Sequence, residues 1–95
     1  MNINPSIRSA IRTAIEETNL QLEEGVQLYD DDDQVILGEG SPLDSLGLLL
    51  FVTEVESKLK ANSPKLDLVD LLMSAEHEAD FKTVGALKQY LNTLA

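Results

Sequence analysis

Cysteine is absent from this chain of 95 residues, which excludes a disulfide framework, a thiolate zinc site and a catalytic thiol. Basic residues are few, 7 against 17 acids, for a formal charge of −10. A surface of that sign repels nucleic-acid phosphates and suits partners with basic patches. Histidine occurs once, as His77, so histidine-assisted nucleophilic catalysis would need that ring beside the nucleophile. No apolar run approaches the ~20 residues that span a bilayer, so membrane insertion is not expected. Arg8 and Arg12 sit inside an apolar helical pattern, not ahead of it as in a signal peptide. The chain therefore reads as soluble and cytoplasmic. Strand signals are scarce, and there is no internal repeat and no linker. Residues 1–95 make one domain, with 43% apolar residues for one modest core. A chain this short buries only about 60–65% of the surface its unfolded form exposes, too little for a deep enclosed active site.

What is present is helical periodicity. Asn4 is a good N-cap and Pro5 suits a first helical position. Ile7, Ile11 and Ile15 recur every four residues, with Ala10, Ala14 and Thr18 beside them, which predicts a helix with one apolar stripe, stopping near Asn19. Residues 20–43 lose the period. Glu23, Glu24, Gly25, the four aspartates at 30–33, Gly38 and Gly40 favour a loop, which Leu22, Val26, Leu28 and the run Val35, Ile36, Leu37 can anchor to a core. A loop of that length in a small domain is usually functional.

A second helix starts near Asp44 or Ser45 and ends at 61–63, before Pro64. Leu48, Phe51, Val52, Val55 and Leu59 form its core stripe, and Leu46, Leu49 and Thr53 lie on another face, close to Ser45. A short helix is expected over 67–73, with Leu68, Leu71 and Leu72 inward. The polar stretch 74–80 then leads to a last helix over about 83–94, its apolar face made by Val84, Leu87, Leu91 and Leu94. The expected fold is all-α: a small four-helix bundle of three main helices and one short one, with a long loop between the first and second.

Ser45 stands just behind Asp44 at the first turn of the second helix. A serine there can cap the helix or present its hydroxyl for modification. Ser41 and Asp44 have the spacing of a capping box, so Ser41 competes as the cap and would free Ser45 for chemistry. The run Ser41-Pro42-Leu43-Asp44-Ser45-Leu46, after a long Gly- and acid-containing loop and at the head of an amphipathic helix, resembles the phosphopantetheine attachment motif of acyl and peptidyl carrier proteins. The resemblance covers nearly the whole chain and returns at residues 81–84 and 90–91.

The resemblance implies that 4'-phosphopantetheine, taken from coenzyme A, is attached at Ser45 by a separate phosphopantetheinyl transferase. An acyl or aminoacyl group would then ride on the arm as a thioester, loaded by a ligase and delivered to downstream transferases of fatty-acid, lipid or secondary-metabolite synthesis. The chain would be a monomeric, non-catalytic carrier. The family's pattern gives Asp44 a supporting role beside the reacting serine. Leu46 would be an apolar contact that partners bury, with Leu49 extending it. Many fatty-acid carriers have acids two and five positions after the serine. Here those positions are Gly47 and Leu50, and Lys58 and Lys60 dilute the helix's charge further, which favours a specialised carrier.

Two other readings use no prosthetic group. An acidic helical adaptor module would explain the charge and the bundle. A metal-responsive regulator would use the aspartates at 30–33, although this segment lacks the order of an EF-hand loop. The acidic run is better read as a solvated loop. Glu76, His77 and Glu78, being adjacent on the chain, do not share a helix face and make a poor metal site, so no metal is expected and His77 reads as surface.

Overall fold

The computed structural model describes residues 3–22, 26–60 and 66–94. The described residues are 65% helix, 3-10 included, and no strand occurs among them. Four α-helices follow in order: α1 (Pro5–Gln21), α2 (Ser45–Leu59), α3 (Leu68–Leu72) and α4 (Val84–Leu94), with a 3-10 helix over Ala75–Phe81 between the last two. The all-α reading of three main helices and one short one holds. The polar stretch expected only to separate helices is the 3-10 turn, and it ends on the fully buried Phe81.

The first helix begins as its residues dictate. The Asn4 side chain accepts the Ser6 N–H at 2.8 Å and Pro5 opens the helix. Its stop differs from the expected one, because α1 runs on to Gln21. Asn19 faces the following loop instead: its Oδ1 accepts the Leu28 N–H at 2.8 Å while its Nδ2 donates to the Leu28 carbonyl at 2.9 Å. Those two bonds hold Leu28, 2% exposed, against the bundle.

The core follows the stripes. Ile7, Ile11 and Ile15 of α1 pack with Leu48, Phe51, Val52, Val55 and Leu59 of α2, and with Val84, Leu87 and Leu91 of α4. Leu68 joins them fully buried, with Leu71 and Leu72 partly covered. Leu94, expected on the same face, is half open at the last turn of α4. Glu56 on α2 fixes the approach of α3, its carboxylate accepting the Leu68 N–H at 2.7 Å. The expected end of the second helix at 61–63 lies outside the described residues, which carry α2 to Leu59 with Lys60 as its cap.

Lys58 of α2 and its cap Lys60 are both paired with acids. Lys58 bridges to Glu17 of α1 at 3.0 Å and to Glu54 one turn back at 3.7 Å. Hydrogen bonding to Glu54, then to Lys58, holds the Glu17 carboxyl below its ordinary value, and the bond to Glu17 pushes Glu54 up. Lys60 pairs with Glu56.

The long loop is held along much of its length. Val35 and Thr83 form an isolated antiparallel bridge. Around it the Val84 N–H donates to the Gln34 carbonyl and the Ile36 N–H to the Lys82 carbonyl, both at 2.9 Å. Ile36 is completely buried. One turn earlier the loop backbone lies almost on α4, where the Gly85 N–H donates to the Asp32 carbonyl at 3.0 Å. A Cβ on Gly85 would stand 2.8 Å from Asp32 Cβ, so only glycine admits this approach.

Candidate functional site

The site grows from the end of that loop. Gly38 and Gly40 take positive φ, +91° and +89°, a region open to glycine, and the Ser41 N–H closes the turn on the Gly38 carbonyl. The Ser41 hydroxyl donates to the Ile36 carbonyl at 2.9 Å and accepts the Leu43 N–H at 3.1 Å. Ser41 is therefore a brace within the loop and not the helix cap that its spacing suggested.

Asp44 is the cap. Its backbone is extended, its Oδ1 accepts the Gly47 N–H at 2.7 Å, and its carbonyl accepts the Leu48 N–H at 2.9 Å. An acidic side chain in this place also meets the positive end of the helix dipole. Ser45 is thereby the first residue of α2 and is exposed. The capping role a serine at this turn would otherwise fill belongs to its neighbour.

Beside Ser45, Leu46 keeps 74% of its surface in solvent. An open groove of about 630 Å³ runs along this corner of the molecule between the end of α1 and the start of α2. Its apolar walls come from Leu22, Val26, Pro42, Leu46 and Leu50, and Asp44 stands at its edge. Asp44, Ser45 and Leu46 thus lie together. Leu49, expected to extend the apolar contact, is half-buried and does not line the groove. Leu50, which does line it, was legible only as a position where an acid is missing. Gly47 is buried, and a Cβ there would come within 3.2 Å of the Asp44 carboxylate, so the cap and the small residue go together.

The acidic run at 30–33 has a partner that the sequence pattern hides. Lys88 of α4, 7% exposed, reaches Asp30 at 3.2 Å and Asp32 at 3.1 Å, and Arg12 of α1 reaches Asp30 at 3.4 Å. Asp31 turns back on the loop, its Oδ1 accepting the Asp33 N–H at 2.9 Å. Two of the four carboxylates thus already face an ammonium. Among the described residues no three His, Asp or Glu side chains are grouped so as to hold a metal ion.

His77 is half-buried and not simply surface. Its Nδ1 lies 3.2 Å from Asp80 Oδ2, and its ring centroid is 5.1 Å from that of Tyr90. The 3-10 helix that carries it packs on α3 and α4. No described helix is long and apolar enough to cross a membrane.

Comparison with known proteins adds no relative: no family model, no curated protein and no solved structure matches this chain.

Proposed function

We propose that the chain is a carrier protein that takes a 4'-phosphopantetheine arm on Ser45 and presents an acyl or aminoacyl group to partner enzymes. The observation that carries this reading is the division of labour at the head of α2. Asp44 caps the helix, while Ser45, one residue on, is exposed at its first turn. A serine that is not needed as a cap, at the positive end of a 15-residue helix, suits attachment of a negatively charged phosphate.

The residues fit the group. In the attachment step the Ser45 oxygen bonds to the β-phosphorus of coenzyme A, the bond to the α-phosphate oxygen breaks, and adenosine bisphosphate leaves. A base of the transferase takes the hydroxyl proton. The positive end of the α2 dipole would offset part of the repulsion that a chain of charge −10 exerts on a phosphodiester at Ser45. The arm, once attached, supplies a terminal thiol on which cargo is held as a thioester. This chain supplies recognition and position. Leu46 and the groove offer an apolar surface lined also by the Asp44 carboxylate, on a chain of charge −10, a combination that suits brief docking of partners with basic patches.

Loading ligases, downstream transferases and a cytoplasmic setting belong to the same proposal. The apolar positions Gly47 and Leu50, where acids serve many fatty-acid carriers, favour a specialised pathway. An acidic adaptor without a prosthetic group would use Leu46 equally well but has no role for Ser45.

The test is intact mass after incubation with coenzyme A, magnesium and a broad-specificity phosphopantetheinyl transferase, with Ser45→Ala alongside. A gain of one phosphopantetheine in the parent chain and none in the variant supports the carrier. No gain in a folded parent chain moves the adaptor reading to the front.

A further inference from the structure

We propose that Ser41 is a positioning residue for Ser45, tying the head of α2 to the loop segment that α4 holds. The inference rests on the carrier reading for its functional meaning, but its geometry stands independently. The Ser41 hydroxyl is used twice, as donor to the Ile36 carbonyl at 2.9 Å and as acceptor of the Leu43 N–H at 3.1 Å. Ile36 is itself held: its N–H donates to the Lys82 carbonyl and its side chain is fully buried. Leu43 leads directly into the Asp44 cap and so into Ser45.

Hydrogen bonds linked by short stretches of backbone therefore join the start of α4 to the Ser45 turn. They run from the Val35–Thr83 bridge through Ile36 and the Ser41 hydroxyl to Leu43 and the cap. Between Leu37 and Leu43 the chain makes a turn on two positive-φ glycines, Gly38 and Gly40, closed by one backbone bond from the Ser41 N–H to the Gly38 carbonyl. The hydroxyl crosses that turn. Without it, the turn could pivot and carry the direction of the Ser45 hydroxyl with it, whereas the packed stripe of α2 further along would stay in place. A nucleophile that must meet a phosphorus in another protein's site is sensitive to such misorientation.

Ser41→Ala removes the brace, and Ser41→Thr keeps the hydroxyl. Ile15→Val, on α1 and outside the Ser41 hydrogen bonds, serves as a control destabilised through the core. For each, the transferase's kcat and KM toward the chain are measured together with the thermal midpoint and amide exchange at residues 43–46. The expected result for Ser41→Ala is roughly fivefold lower kcat/KM, the size of effect expected when one orienting hydrogen bond is lost. Faster exchange at Leu43 and restoration by Ser41→Thr are expected with it, while Ile15→Val loads normally. Ser41→Ala loading at the parent rate overturns the inference, as does an equal loss of rate in Ile15→Val. If the parent chain takes no phosphopantetheine at all, the carrier reading fails. Exchange at residues 43–46 then decides the brace alone, and unchanged exchange in Ser41→Ala overturns it.

Discussion

Lys88 Nζ lies 3.1 Å from Asp32 Oδ1 and 3.2 Å from Asp30 Oδ1, with 9% of its side chain open to solvent. The partners differ in exposure: 31% for the Asp30 side chain and 74% for Asp32. Removing the lysine leaves carboxylates that water can solvate, whereas removing the carboxylates leaves a covered ammonium. The double variant Asp30→Asn, Asp32→Asn should therefore cost about 3 kcal/mol, and Lys88→Met about 1 kcal/mol or less. Urea unfolding of both variants checks the order; equal losses would contradict it.

Thr18 is completely buried, and its hydroxyl has no partner among the described residues. Valine has nearly the same shape without the polar atom. Thr18→Val should stabilise the chain by about 1 kcal/mol, raising the thermal midpoint by roughly 4–8 °C for a domain of this size. A lowered midpoint would mean that the hydroxyl is satisfied.

Burial, with the Asp80 carboxylate adding to it, pushes the Tyr90 phenol above its ordinary value of 10.0. The folded chain thus favours the neutral phenol. Its contribution to stability is complete below pH 10 and is lost as pH rises through the raised value. In a Tyr29→Phe variant, which leaves Tyr90 as the one phenol, the phenolate absorbance should rise with a midpoint above 10, falling to about 10 in denaturant. Identical midpoints in the two states would contradict the burial.

These cases mark where the sequence was legible. Asn4 and Pro5 announced the start of α1 because caps act locally. The stripes of α1 and α2 announced the core because a 3.6-residue period needs no knowledge of partners. Ile36 and Leu28 stood out as apolar anchors in an acidic loop. Asn19 misled because its partner, Leu28, lies beyond the helix, and Lys88 went unread because its partners are 58 and 56 residues away. Asp44 rather than Ser41 became the cap through backbone geometry that spacing does not encode. The groove beside Ser45 depends on how the end of α1 meets α2, which no single stretch of chain specifies.

Leu46 packs on little of its own chain, being 74% exposed. Leu46→Ser should change unfolding free energy by no more than about 0.5 kcal/mol. As a docking contact it should nonetheless matter, with loading by a phosphopantetheinyl transferase falling roughly tenfold in kcat/KM, the effect of losing an apolar anchor. Calorimetry and loading kinetics on the same preparation separate the two. A large loss of stability would place Leu46 in the fold instead of at an interface.

The central claim concerns one oxygen atom, and two serines stand close together here, Ser41 in the loop and Ser45 at the head of α2. Fragment-ion mass spectrometry on the peptide spanning residues 41–45, taken from the chain after treatment with coenzyme A and transferase, locates the added group directly. The account predicts phosphopantetheine on Ser45, with Ser41 unmodified. A group on Ser41, or none on a folded chain that a competent transferase has met, would contradict it.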